Sequence, residues 1–253
     1  MSGWLHRAAP RGIMRLVRGA AALGLAVALA GCVSAVQPAT PLPPVPAGSP
    51  LTPEQAARNF VTVVNRVEPV AERICRQRAV VTNCDFQIAI DDQPGAAPNA
   101  FQTVDDAGRP YLVFTLALIA DARNQDELAF VLGHEASHHI AGHMDRQDQS
   151  AMTAAILAGV IASAGGANAE AVRAAQDFGA EIGARTYSKD FELEADALGA
   201  EIAWRAGYDP RVGMAFFDRL PDPGDEFLGT HPPNSRRKDV VARVTAALEA
   251  EGG

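Results

Sequence analysis

The chain has 253 residues and a formal net charge of −8, and 48% of its residues are hydrophobic. This length accommodates one large domain or two small ones. The acidic balance argues against nucleic acid as a partner, because the phosphate backbone selects basic surfaces.

The first 31 residues have the pattern of an export signal. Four arginines precede an unbroken run of small and apolar residues at positions 20–30, which is too short to span a membrane. The run ends in LAGC, which resembles the bacterial lipobox, so we expect residues 1–31 to be a lipoprotein signal peptide and Cys32 to be lipidated. Val33 is not the Asp that favours inner-membrane retention, which implies a lipid anchor at the periplasmic face of the outer membrane. The alternative is that Cys32 is a bystander in an ordinary signal peptide.

The segment that follows the signal separates the anchor from the domain. Residues 32–53 are rich in Pro and small residues and show no apolar periodicity, which predicts an extended tether. We expect the folded domain at residues 54–253. Thr52 is the predicted N-cap of a first amphipathic helix over residues 53–77, because apolar side chains recur there at helical spacing.

Three short strands are predicted after this helix. Alternation over residues 86–90 indicates one strand, and residues 100–103 and 111–116 flank an acidic turn as a hairpin, so we expect a small antiparallel sheet. Cys75 and Cys84 bracket the turn between helix and sheet, and an oxidising compartment favours a disulfide between them over free thiols. A metal pair is disfavoured, because no further cysteine completes a cluster.

The residues after these strands are predicted to be mainly helical. The helix whose apolar side lies over residues 128–140 is expected to be capped by Asn124 or Asp126 and to loosen or stop at Gly142. Residues 151–183 predict a packed helical hairpin, with membrane contact as the alternative. The predicted fold class is therefore α+β, mainly α-helical, with further helices over 191–206 and 235–251.

The stretch LGHEASHHIAGH at residues 132–143 contains the motif HExxH. His134 and His138 are four residues apart and share a helix face, so both imidazoles can reach one metal ion. Glu135 lies about 100° around the same helix, where it reaches a water on that metal without binding the metal itself. This arrangement is typical of the general base of a zinc metalloprotease. The alternative is a chance pair of solvated or core histidines.

Nearby residues of the same helix do not supply a third ligand. The metzincin motif requires Gly and His where this chain has Ala141 and Met144, so that class is excluded. His139 and His143 point away from one or both ligand positions on an ideal helix, which favours surface or capping roles for them.

A later helix offers the missing carboxylate. Glu192 and Asp196 are four residues apart and share a face, while Glu194 is rotated about 200° from Glu192. One residue of such a pair can bind the metal while the other accepts the spare imidazole N–H of a histidine ligand.

These motifs resemble those of the CAAX prenyl protease and HtpX-like family of gluzincin metallopeptidases, especially its periplasmic lipoprotein branch. The resemblance rests on HExxH, on the stretch SKDFELEAD at 188–196, and on shorter matches at 99–101, 126–129, 205–210 and 230–233. It implies a zincin-type domain with one Zn²⁺ bound by His134, His138 and Glu192, with Glu135 as catalytic base and Asp196 in support. The Gly-rich strand of the family is replaced here by residues 102–114, which contain the acidic turn.

The resemblance also assigns two residues near the C-terminus. In relatives with the sequence THPP, the histidine that matches His231 lies near the metal, where it would hold the enzyme latent or stabilise the oxyanion. The alternative is a plain loop histidine before two prolines. Arg237 matches an arginine of the family and is assigned to the substrate or transition state. We expect an extended substrate to add to the strand near residues 111–114.

Together these features predict a zinc metalloendopeptidase of the cell envelope. Its expected substrates are misfolded or unassembled envelope proteins, its membrane contact is the lipid on Cys32, and envelope assembly machinery is a possible partner class. One alternative is a latent, chaperone-like assembly factor regulated by His231. Another is a domain whose zinc is purely structural.

Overall fold

The computed structural model describes residues 51–78, 83–186, 188–222, 224 and 231–252. The expected signal peptide at 1–31, the expected lipidation site Cys32 and most of the expected tether lie outside the described residues. Within the described ranges, helices predominate and accompany a three-stranded sheet. The predicted α+β, mainly α-helical class is confirmed.

Helix α1 (Pro53–Arg78) begins with a reciprocal cap. The Thr52 backbone N–H donates to the Gln55 side chain at 2.8 Å, and the Gln55 backbone N–H donates to the Thr52 hydroxyl at 3.3 Å. Two donors of the first turn are thereby satisfied. The last turn carries Cys75, which forms a disulfide with Cys84. The bond ties the end of α1 to the segment that leads into the sheet.

Strands β1 (Gln87–Asp91), β2 (Ala100–Val104) and β3 (Pro110–Thr115) form a mixed sheet in the order β1-β3-β2. β2 and β3 are the expected antiparallel hairpin. β1 pairs with β3 in parallel, so the expectation of a wholly antiparallel sheet is corrected. The loop over residues 92–99 leaves a space between β1 and β2 that β3 fills. β2 runs opposite to β1, and β3, which reverses the direction of β2, therefore runs parallel to β1.

A short helix α2 (Leu116–Asp121) leads to α3 (Gln125–Ile140), the helix that carries the HExxH motif. Asn124 caps α3, because its side chain accepts a hydrogen bond from the Glu127 backbone N–H at 2.8 Å. α3 is buried along most of its length, since α1, the sheet and later helices pack around it. The helix ends at Ile140, close to the predicted stop at Gly142, which has a left-handed φ of 63°.

Helices α4 (His143–Ala164) and α5 (Ala169–Thr186) form the expected hairpin. They pack closely through small residues, since a Cβ on Gly179 would lie 2.5 Å from the Ala154 carbonyl oxygen. The hairpin is packed only on its inner side, because several apolar side chains of α4 are more than half exposed, namely Met152, Ile156, Leu157, Val160 and Ile161. No helix in the described ranges has the length and apolar content needed to cross a membrane.

Helix α6 (Ser188–Arg205) crosses α3 at very short range. Gly133 of α3 and Gly199 of α6 meet at the crossing, and a Cβ added to Gly199 would lie 2.7 Å from the backbone nitrogen of His134. This contact determines which turn of α6 faces the HExxH motif. The chain ends with α7 (Pro210–Gly213), a 3-10 turn at Met214–Arg219, and α8 (Asn234–Gly252), which packs against α6.

Candidate active site

Three side chains that together could hold a metal ion converge between α3 and α6. Nε2 of His134 and Nε2 of His138 are 3.1 Å apart. Glu192 places one carboxylate oxygen 3.6 Å from His134 Nε2 and the other 3.5 Å from His138 Nε2. Tetrahedral zinc with bonds of about 2.0–2.1 Å holds its ligand atoms about 3.3–3.4 Å apart. The spacing and the chemistry of these donors therefore fit one zinc ion.

Asp196 and Arg237 support the His134 side of this donor set. Asp196 is fully buried, and its Oδ1 lies 2.9 Å from His134 Nδ1. It therefore accepts the ring proton on Nδ1 and leaves Nε2 facing the metal position. Arg237 from α8 donates two hydrogen bonds of 2.7 Å to Asp196. Glu192 and Asp196 thus share one face of α6, as their spacing indicates.

Burial and neighbouring charges set the protonation of the donors. Burial lowers the pKa of His138 to about 3, and the charge of His134 acts in the same direction. For Glu192, burial raises the pKa, but the hydrogen bond from His231 and the charge of His134 outweigh it and hold the pKa well below its usual range. A neutral imidazole and an ionised carboxylate are the forms that bind a metal ion.

His134 differs from His138 in the sign of its pKa shift. Burial alone would lower the pKa of His134, but the hydrogen bond and the negative charge of Asp196 outweigh burial, and the pKa is raised. The two histidines therefore occupy electrostatically different surroundings on the same helix face.

Glu135 lies beside the donor set in a cleft of about 260 Å³. The cleft is also lined by Gln102 of β2, by Glu192 and by His231. Burial raises the pKa of Glu135 to about 7. A carboxylate with a pKa near neutrality is suited to accept a proton and return it in the next step.

The two histidines that the sequence favoured as surface or capping residues are both buried. His143 follows Gly142, whose left-handed backbone turns α4 out of the line of α3, so the ideal-helix argument does not hold across this break. Its Nδ1 lies 2.9 Å from Nδ1 of His138. His139 instead has its Nε2 2.6 Å from the carbonyl oxygen of Asn83, and it helps to hold α3 to the segment before β1.

The profile of peptidase family M48 matches residues 63–244, well over half of the chain. The chain belongs to peptidase family M48. The matched range contains the HExxH motif and Glu192, and the resemblance to the HtpX-like metallopeptidases is confirmed. Members of this family are metal-dependent peptidases, and the matched range of this chain contains the donor set of His134, His138 and Glu192.

Curated relatives agree with this membership. The chain is 32% identical over 151 residues to the beta-barrel assembly-enhancing protease of Yersinia pestis. This match covers 53% of the chain and 30% of the relative. It is 31% identical over 168 residues to the mitochondrial metalloendopeptidase OMA1 of Saccharomyces cerevisiae. This match covers 62% of the chain and 46% of the relative. The mitochondrial metalloendopeptidase OMA1 of Arabidopsis thaliana is 29% identical to the chain over 143 residues, a match that covers 55% of the chain and 28% of the relative. The matches span less than half the length of each of these relatives.

His231 lies at the cleft of this M48 domain. Its Nδ1 is 3.4 Å from a carboxylate oxygen of Glu192, and its side chain is 56% exposed. The cluster of metal donors consists of His134, His138 and Glu192, and His231 stands next to it rather than within it. Thr230, which precedes His231 in the THPP sequence, lies outside the described residues.

Arg237 lies beside the donor set formed by His134, His138 and Glu192. The side chain is buried against Asp196, lies 3.3 Å from Glu192 and covers the ring of Phe217 at 4.2 Å. It does not line the described cleft. Arg237 therefore supports the metal donors in this structure, and its assignment to the substrate or transition state stays a prediction.

The edge strands of the M48 sheet are β1 and β2, and the strand over residues 111–114 is not one of them. β3 is the central strand and is paired on both sides, so it has no free backbone groups for an added strand. β2 lies at the edge and contributes Gln102 to the cleft. The expected docking strand is corrected accordingly, because the sequence indicated the strands without indicating their order.

Proposed function

We propose that this M48 protein is a zinc-dependent endopeptidase that hydrolyses misfolded or unassembled proteins of the cell envelope. The observation that carries the proposal is the placement of Glu135 in a cleft beside three side chains whose spacing fits one zinc ion. A structural zinc site is satisfied by four protein ligands, whereas this donor set has three and opens onto a cleft, as catalytic sites do.

The reaction that we propose is metal-assisted hydrolysis of a peptide bond. Zinc held by His134, His138 and Glu192 would supply Lewis acidity and lower the pKa of a water. Glu135 accepts the proton of the attacking water and passes it to the leaving amine. Asp196 keeps the His134 ring in the required orientation and tautomer.

The substrate is proposed to bind as an added strand along β2. The Thr115 backbone N–H donates to the Asn99 carbonyl oxygen, and the Asp105 N–H donates to the Arg109 carbonyl oxygen, each at 3.0 Å. Because bonding direction alternates along an antiparallel strand, the backbone groups of Ala100, Gln102 and Val104 face the open edge. Such an edge recognises any extended backbone, which suits unfolded proteins as substrates.

The cellular setting is also part of the proposal. A lipid on Cys32 would hold the enzyme at the periplasmic face of the outer membrane, where the envelope assembly machinery is a possible partner. The name of the Yersinia pestis relative, a beta-barrel assembly-enhancing protease, supports substrates among envelope proteins. Nucleic acid is not expected as a partner, given the net charge of −8.

The experiment that tests this function measures cleavage as a function of zinc. The purified protein is stripped with a chelator and then supplied with zinc, and cleavage of an unfolded protein is compared with cleavage of the same protein in its folded form. We expect about one zinc per chain to restore cleavage of the unfolded form. Zinc binding without cleavage of either form would contradict the peptidase proposal.

A second candidate is a latent, chaperone-like assembly factor, which the position of His231 beside Glu192 favours. In this alternative His231 closes the open side of the metal site and proteolysis is weak. Replacement of His231 by Ala distinguishes the two candidates. A large rise in cleavage supports latency, whereas unchanged cleavage by the variant argues against a regulatory role for His231.

A further inference from the structure

His138 contacts a second imidazole on the side that faces away from the metal position. The Nδ1 atoms of His138 and His143 are 2.9 Å apart. Nε2 of His143 lies 3.2 Å from a carboxylate oxygen of Glu194, and the same oxygen accepts a hydrogen bond of 2.8 Å from Arg146. The contacts form a chain that runs from His138 through His143 and Glu194 to Arg146.

The ring of His143 is held firmly in this position. It is 4% exposed and stacks on Phe191, with ring centroids 4.6 Å apart and planes inclined by 13°. The guanidinium carbon of Arg146 lies 4.4 Å from the centroid of the same phenylalanine. The left-handed backbone at Gly142 turns the first residues of α4 so that the His143 ring lies next to the His138 ring.

The direction of the hydrogen bonds follows from the metal geometry. His138 must present the lone pair of Nε2 to the metal, so its proton is on Nδ1. That N–H can donate only if Nδ1 of His143 carries a lone pair, which places the proton of His143 on Nε2. Nε2–H of His143 then donates to the carboxylate of Glu194. In this arrangement both nitrogens of His143 and Nδ1 of His138 have hydrogen-bond partners, whereas the opposite tautomers would place the proton of His138 on Nε2, which faces the metal position.

We propose that His143 and Glu194 are positioning residues, which fix the tautomer and ring plane of His138 in the way that Asp196 fixes those of His134. The inference rests on the proposed zinc site and adds its outer support. The two histidine ligands then have different supports: a fully buried carboxylate acts directly on His134, whereas a neutral imidazole stands between His138 and a carboxylate that is 48% exposed.

The experiment measures zinc affinity by competition with a chromophoric chelator, using the purified full chain. His143→Phe keeps an aromatic ring against Phe191 but removes the acceptor for His138, so zinc affinity should fall about 10- to 100-fold. His143→Gln keeps an acceptor and should recover part of this loss. Glu194→Ala should weaken zinc binding less than His143→Phe, because Glu194 acts through His143.

Thermal unfolding of the zinc-free proteins separates positioning from general stability. We expect the zinc-free His143→Phe protein to unfold near the wild-type temperature while its zinc affinity is reduced. Proton NMR of the zinc-loaded wild type should show a downfield imidazole N–H signal that is lost in His143→Phe. His139→Gln is the matched control, since His139 lies on the same turn but bonds to the Asn83 carbonyl oxygen, and its zinc affinity should be unchanged.

The outcomes separate this inference from the proposed function. Wild-type zinc affinity in His143→Phe would overturn the role of His143 and leave the proposed function standing. Lower stability of the zinc-free variant without a change in zinc affinity would also overturn it, as a purely structural effect. A wild-type protein that does not bind zinc would overturn both proposals.

Discussion

At the scale of single residues, the buried pair of Asp196 and Arg237 carries both stability and site geometry. Both residues are buried, and two hydrogen bonds of 2.7 Å join them. A buried ion pair is costly to break from one side, because the remaining charge has no partner.

Replacing Arg237 with Met should therefore destabilise the protein by about 3–5 kcal/mol, since it leaves the Asp196 carboxylate buried with only the ring N–H of His134 as a partner. Urea unfolding of the zinc-free protein measures this cost. The double variant Asp196→Asn/Arg237→Met removes both charges and should recover much of the stability. Equal stability of the wild type and the Arg237→Met variant would contradict the role assigned to this pair.

Residue spacing alone indicated His134, Glu135 and His138 as one group, and Glu192 with Asp196 as another. These assignments follow from helix geometry, which a sequence encodes directly. The contact between His138 and His143 could not be derived in the same way, because it depends on the left-handed backbone at Gly142. The signal that would have indicated this contact is Gly142 directly before His143, which lies five residues after His138.

At the scale of secondary-structure elements, the crossing of α3 and α6 brings Glu192 to the two histidines. Gly199→Ala would place a methyl group 2.7 Å from the His134 backbone nitrogen. The helices must then separate, so we expect a destabilisation of about 1–3 kcal/mol and weaker zinc binding. Gly165→Ala is a control on the hairpin, where the added Cβ would meet its nearest neighbours at 3.4 Å. Equal effects of the two substitutions in urea unfolding and zinc titration would argue against a special role for the crossing.

The edge strand β2 gives a second test at this scale. Val104→Pro removes an N–H that faces the open edge, which an edge strand tolerates. It should reduce kcat/KM on an unfolded protein several-fold, by up to about tenfold, because one backbone hydrogen bond to the substrate is lost. Thr103→Pro removes an N–H that bonds to β3 and should instead lower the unfolding temperature. Unchanged kinetics in a folded Val104→Pro protein would count against substrate addition at β2.

Element existence was predictable for α1, α3, the β2–β3 hairpin and the α4–α5 hairpin, because each has apolar periodicity bounded by caps or glycines. The parallel pairing of β1 was not predictable, because strand order is a property of tertiary packing. The exposure of Ile156, Leu157 and Val160 was likewise not predictable, because an apolar run in a sequence does not show which helix face packs against the rest of the protein.

At the scale of the whole molecule, a three-charge cluster joins the end of α1 to α6. Glu201 accepts two hydrogen bonds from Arg78, at 2.6 and 2.8 Å, and one of 2.7 Å from Arg205. Burial raises the pKa of Glu201, but the hydrogen bonds and charges of both arginines outweigh it, so the pKa is lowered.

A carboxylate with a lowered pKa stabilises the folded state at pH values above its unfolded pKa, which is about 4.3 for Glu. This stabilisation is lost as the pH falls through the folded pKa. The free energy of unfolding of the wild type should therefore decrease more steeply on acidification below about pH 5 than that of Glu201→Gln. Urea unfolding across this pH range measures the difference, and identical pH dependence in both proteins would contradict the argument.

Three donors and a separate base are proposed to make this M48 protein a zinc peptidase, and zinc content measured together with cleavage tests this proposal most directly. Zinc content and cleavage of an unfolded protein are measured side by side for the wild type, Glu135→Gln and a surface control, Glu170→Gln. We expect all three to bind one zinc per chain, and Glu135→Gln alone to lose cleavage by about 10²- to 10⁴-fold. Wild-type cleavage by a zinc-loaded Glu135→Gln protein would contradict the account.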